Sequence, residues 1–174
     1  MNAAPEFSRP YRLDAIGAGD VGTTVSAEPS ERTALATRFG LIAIDRLDAS
    51  FILRRDPTGI VARGHLSAAV TQACVVTEAP LPVRIEEDFA LRFLPEPDGA
   101  ADEVDLDADD CDTVFFTGSA IDLGEAAAET LLLSLDPFPR SPGAAAALKQ
   151  AGVISEEEAG PFGGLAALRD KLGN

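Results

Sequence analysis

The most regular feature of the chain is an alternation of apolar and polar residues that begins at Leu47. In "LDASFILRR", Leu47, Ala49, Phe51 and Leu53 recur at every second position with Asp48, Ser50 and Arg54 on the other side, the period of a strand with one buried face. "DPTG" at 56–59 has proline at the second turn position and glycine at the last, which suits a hairpin. On the return, Ile60, Ala62, Leu66, Ala68, Val70, Cys74 and Val76 share one face, and Arg63, His65, Ser67 and Thr71 the other. After the turn "TEAPLP" a third run points Val83, Ile85, Phe89, Leu91 and Phe93 inward and Arg84, Glu86, Asp88 and Arg92 outward. Glu87 is the one misfit on the inward side.

Helical signals flank these strands. "EPSERTALATRFG" predicts a helix over 30–39, with Ser30 as N-cap, Leu35 and Phe39 four apart, and Gly40 as terminator. A second helix is expected over 122–134, capped by Asp122 with Glu125 at the capping-box position and ended by Pro137, Pro139 and Pro142. "RPYRLDAIGAGD" reads as a short first strand running into a glycine turn, and "TVFF" as another short strand. "AAAALKQAG" and "GPFGGLAALRDKLGN" read as short helical pieces, the last with Phe162, Leu165, Leu168 and Leu172 on one side. The fold class expected is α+β: an antiparallel meander of about five or six strands, curled toward a barrel, with flanking helices. One domain spanning 1–174 is expected, with a core over about 8–140 and a helical tail over 141–174.

Charge changes this picture in the second half. Residues 1–95 hold 10 Lys+Arg against 12 Asp+Glu, a net of −2, whereas residues 96–174 hold 4 against 17, a net of −13, within a total of −15. "EPDGAADEVDLDADDCD" at 96–112 concentrates 9 acidic residues and reads as a solvated acidic loop. Such a field favours basic partners and repels nucleic acid, while the nearly neutral first half has room for a local arginine patch. No apolar run approaches the ~20 residues of a membrane span, and "MNAAPEFSRP" lacks the character of a signal segment, so a cytoplasmic protein with Cys74 and Cys111 reduced is expected.

Catalytic signals are weak. His65 is the single histidine and lies on a polar strand face with no serine or cysteine at a nucleophile's spacing. There is no phosphate-cradling glycine loop, and "GAGD" at 17–20 does not continue as a dinucleotide fingerprint. The aspartates of 102–112 lack the ordered spacing of a calcium loop, and two cysteines with one histidine fall short of the roughly four ligands of structural zinc. The expectation is therefore no enzyme, no metal and no cofactor.

"GHLSAAVTQACVVTEAP", "IEEDFALRFLP", "IDLGEAAAETLLLSLDPFPRSPG" and "PFGGLAALRDKL" together, over about residues 40–172, closely resemble the YceD family of large ribosomal RNA subunit accumulation proteins, in an alphaproteobacterial form. The family landmarks are matched by Cys74, Thr77, Ile121, Asp122, Leu123, Glu129, Pro137, Pro139, Pro161 and Phe162. Many relatives carry Cys-x-x-Cys here, with a further cysteine or histidine near the turn after the Ile-Asp-Leu helix, a set that suits a metal. Thr77 stands in place of the second sulfur, and "DPFPRSPG" offers neither ligand, so Cys74 is expected to pack as a small, inert apolar group. The resemblance implies a non-enzymatic factor in accumulation or processing of large-subunit (23S) ribosomal RNA. Two modes are open. One is RNA contact through Arg54, Arg55, Arg63, His65, Arg84 and Arg92, which, with Asp48, Glu86 and Asp88 interleaved, read somewhat better as solvated strand residues. The other is an acidic adaptor or chaperone for a basic ribosomal protein or assembly factor.

Overall fold

The computed structural model describes residues 5–96 and 112–153. The chain forms two compact units, one from residues up to Gln72 together with Pro82–Asp136, the other from Ala73–Leu81 and the segment beginning at Pro137. In the order of the chain come β1 (Pro10–Arg12), a 3-10 turn (Leu13–Ala15), β2 (Val21–Ser26), α1 (Pro29–Phe39), β3 (Ala43–Arg55) and β4 (Ile60–Ala73). Next are β5 (Pro80–Pro95), β6 (Asp112–Phe116), β7 (Ala120–Asp122), α2 (Leu123–Ser134) and α3 (Ala144–Gln150).

The first unit is an α+β structure built on a five-stranded sheet of order β2-β3-β4-β5-β6, beside a two-stranded ribbon of β1 and β7. Strands β2, β3 and β4 pair antiparallel, and the alternation that predicts them is the alternation that is buried: Leu47, Ala49, Phe51 and Leu53 face Leu66, Ala62 and their neighbours within one apolar cluster. At ~1.5–3 kcal/mol for each large apolar side chain fully removed from water, this cluster is the main source of stability. Leu35 and Ala36 of α1 and Leu123, Ala127 and Leu131 of α2 join it, as does Phe7 from the N-terminal segment. Gly64 leaves a gap in the inward row of β4, opposite Phe51, and the Phe89 ring fills it, with its centroid 5.0 Å from that of Phe51.

Several expectations need correction. The sheet is open, not curled into a barrel, and its last strand, β6, runs parallel to β5. Parallel neighbours require a crossover connection, which an alternation pattern does not announce. Strands β2 and β7 lack a legible period, and β1 pairs with β7 and not with the main sheet. β4 stops at Ala73, because Cys74 opens a tight turn, so Val76 is not part of the strand. Ser30 is not the cap of α1: the helix begins at Pro29, whose fixed φ suits the first helical position, and the Glu28 backbone N–H donates to Glu31 Oε2 at 2.7 Å. Gly40 ends that helix at φ 66°, the left-handed conformation expected of a glycine terminator. The acidic stretch from 97 to 111 with Cys111, and the expected last helix with Pro161 and Phe162, lie outside the described residues.

Candidate functional site

The six proposed RNA contacts are not alike once their surroundings are seen. Arg55 donates from Nε to the Ile16 carbonyl at 3.1 Å and from Nη2 to the Leu13 carbonyl, tying the 3-10 turn to the end of β3. Arg92 is largely covered and binds Asp56 Oδ2 at 2.9 Å and Thr58 Oγ1 at 2.6 Å, bracing the β3–β4 hairpin turn. Arg54 lies 3.7 Å from Asp20. His65 is held between Asp88, 2.7 Å from Nδ1, and Glu86, 2.9 Å from Nε2; both carboxylates raise its pKa, Asp88 more. Arg63 and Arg84 are exposed and have no partner among the described residues. The strand faces therefore present two free guanidinium groups among the carboxylates of Asp48, Glu86 and Asp88.

Cys74 heads the turn of the second unit. Its backbone N–H donates to the Ala79 carbonyl at 2.9 Å, its carbonyl accepts from Glu78 N–H at 2.9 Å, and Glu78 takes φ 58° to close the loop. The Val75 N–H donates to the Pro139 carbonyl at 2.9 Å, which gives one proline landmark a place against this turn. The thiol is buried, at 1% exposure, as the alternation requires. Its setting, however, is not apolar. The Ser141 backbone N–H donates to Cys74 Sγ at 3.2 Å, and the Thr77 and Ser141 hydroxyls lie 3.2 Å apart beside it. Hydrogen bonds from the Ser141 and Thr77 hydroxyls stabilise the thiolate more than burial opposes it, and the pKa falls to about 6. Cys74 is thus buried, as expected of a small packing group, but among polar donors and not in an apolar setting. The donors gathered here among the described residues are one sulfur and two neutral hydroxyls, without imidazole or carboxylate. They do not fit structural zinc. Among the described residues no three His, Cys, Asp or Glu side chains converge on a metal position.

The "IDL" landmark is structural. Ile121, fully buried, pairs with Tyr11 in the β1–β7 ribbon, and Leu123 is buried in the apolar cluster. Asp122 accepts from the backbone N–H of Gly124 at 3.0 Å and of Glu125 at 3.2 Å, capping α2, and also from Arg9 N–H at 2.8 Å and the Ser8 hydroxyl at 2.5 Å. Glu125 does not close a capping box; its carboxylate binds Arg38 at 2.7 Å.

A concave surface also opens between α2 and the β5–β6 pair, a groove of ≈ 530 Å³. Phe89, Leu91, Val114 and Ala126 supply apolar lining, while Glu87, Asp88, Asp112 and Glu129 supply carboxylates. Among the described residues, no lysine, arginine or histidine lines it. Burial first, and then repulsion from Glu125, raise the pKa of Glu129. Leu133 stands at the groove 76% exposed. Sequence reasoning did not assemble this groove, although the misplaced Glu87 was its one visible sign.

A family model described as "Large ribosomal RNA subunit accumulation protein YceD" matches residues 62–169, more than half of the chain. The chain belongs to the YceD family. No curated protein and no solved structure matches it. The YceD description ties the family to accumulation of large-subunit ribosomal RNA. The matched region begins within β4, so Phe7, α1 and β3, which complete the core of the first unit, lie outside it. No helix among the described residues is long and apolar enough to cross a membrane.

Proposed function

We propose that this YceD protein supports large-subunit ribosomal RNA accumulation as a non-catalytic acidic adaptor, holding a basic ribosomal protein or assembly factor, and not as an RNA-binding surface. The supporting observation is how the basic side chains are used. Of the six strand residues, Arg55 and Arg92 brace turns, Arg54 and His65 face carboxylates, and Arg63 and Arg84 have no partner among the described residues, on a chain of net charge −15. Non-specific RNA affinity comes from neutralising several phosphates at once, each contact adding to the salt dependence. Two isolated arginines beside three carboxylates supply little of it. A protein with a basic surface gains from the same field, because complementary charge speeds encounter and penalises wrong partners.

The test is a double substitution, Arg63→Ser with Arg84→Ser, in cells that depend on this chain for their large-subunit RNA. Accumulation at the level given by the parent chain is expected. A fall to the level of cells without the protein would return the function to direct RNA contact.

A further inference from the structure

Resting on the adaptor reading, we infer that the groove between α2 and the β5–β6 pair is its docking surface, and that its occupant is a basic amphipathic segment of a partner protein, with Lys or Arg beside apolar residues. The groove falls within the ~300–1,000 Å³ of surfaces that enclose a ligand group, which is room for one or two side chains and not for a whole domain. Its floor is apolar through Phe89, Leu91 and Val114, and its rim is acidic through Glu87, Asp112 and Glu129. Glu87 and Asp112 have no basic partner among the described residues and Glu129 makes no ion pair there, feeling only the charge of nearby Arg38 among basic groups, whereas Asp88 shares its charge with His65. Unpaired carboxylates above an apolar floor attract a cation carried on an aliphatic stem, the form of lysine and arginine side chains, whose methylenes cover apolar surface while the head meets the charge. Phosphate groups meet repulsion in the same place. The 97–111 stretch, with seven acidic residues and no basic one, would bring like charge and is a poor match for this rim.

Leu133 adds a second element. It is the most exposed of the large apolar residues among those described, and it follows Ala126, Glu129 and Thr130 at helical spacing on the α2 face that lines the groove. An apolar side chain of the partner seated against Leu133, with its cations over Glu129 and Asp112, gives the apolar centre and charged rim typical of tight interfaces.

The probe is a fluorescent peptide of about 15 residues, the length at which an isolated helix becomes marginally stable, built from Leu at helical spacing with Lys and Ala. Its counterpart carries Glu for Lys. Fluorescence anisotropy with the full chain should show binding of the Lys peptide, weakened by salt, and none of the Glu peptide. Leu133→Ser, and separately Glu129→Gln with Asp112→Asn, should each weaken it about tenfold or more, the loss expected at a central contact. Unchanged melting of these surface variants excludes a folding defect as the cause. Equal affinity of parent and variants overturns the groove assignment. A photo-reactive leucine analogue at Leu133 should cross-link to the Lys peptide; cross-linking to its own chain or to a second copy in the presence of that peptide overturns it as well. If basic proteins still co-purify with the groove variants after RNase treatment, only the groove is wrong. If RNase removes them from the parent chain, the adaptor reading itself fails.

Discussion

Replacement of Asp122 by alanine is expected to lower folding stability by about 2–4 kcal/mol. An N-cap side chain alone is worth about 1 kcal/mol, and hydrogen bonds to an ionised group about 1.5–3 kcal/mol. Asp122 does both at once, accepting from two amides of α2 and from Ser8 and Arg9 of the N-terminal segment. That segment carries Phe7, which is fully buried, and its backbone runs so close to α2 that a β-carbon on Gly124 would sit 2.5 Å from the Phe7 carbonyl oxygen. Loss of the carboxylate therefore frees a helix end and loosens the strap that holds a core phenylalanine. Urea unfolding measures the effect, and Asp122→Asn, which keeps one acceptor oxygen, should lose less than alanine. A change below about 0.5 kcal/mol, the usual range for an ordinary surface position, would contradict the clamp.

Gly64→Ala is expected to be of similar or greater size, about 3 kcal/mol, at the upper end of overpacking costs. The added β-carbon would run into the Ser50 carbonyl oxygen and lie 2.5 Å from Phe89 Cζ. The phenyl ring can rotate away at the cost of its contact with Phe51. The carbonyl cannot move without shifting β3 against β4, and that pairing sets which side chains enter the core. Gly22→Ala, also in a strand but with no atom within 4 Å of the new carbon, should stay within about 0.5 kcal/mol of the parent. Equal unfolding midpoints for the two variants would show that the Gly64 gap is not needed.

The three long strands were legible because an antiparallel strand with one wet face writes its burial as a period of two, and Leu47 to Leu53 does so without a break. Gly40 and Asp122 marked helix ends because left-handed backbone and capping oxygens belong to few residue types. Strands of three residues have no period to read, which is why β7 and its pairing with β1 were missed. Ser30 is intrinsically the better cap, yet Pro29 and Glu31 together start α1 earlier. For the candidate site, alternation placed Arg54, Arg92 and Cys74 on a side of a strand and was silent on what waits there or beside Arg55. The partners of Arg55 lie 39 and 42 residues away, and Ser141 lies 67 residues from Cys74. The groove was hidden for the same reason, since its walls come from β5, β6 and α2 and meet only in the folded unit.

The adaptor role is tested most directly by what co-purifies with the tagged chain before and after exhaustive RNase treatment at moderate salt. A basic ribosomal protein or assembly factor retained in the same amount after RNase is the predicted result, with its release on raising the salt as the sign of charge pairing. Ribosomal RNA fragments protected from RNase by the chain, with all protein partners lost on digestion, would contradict it.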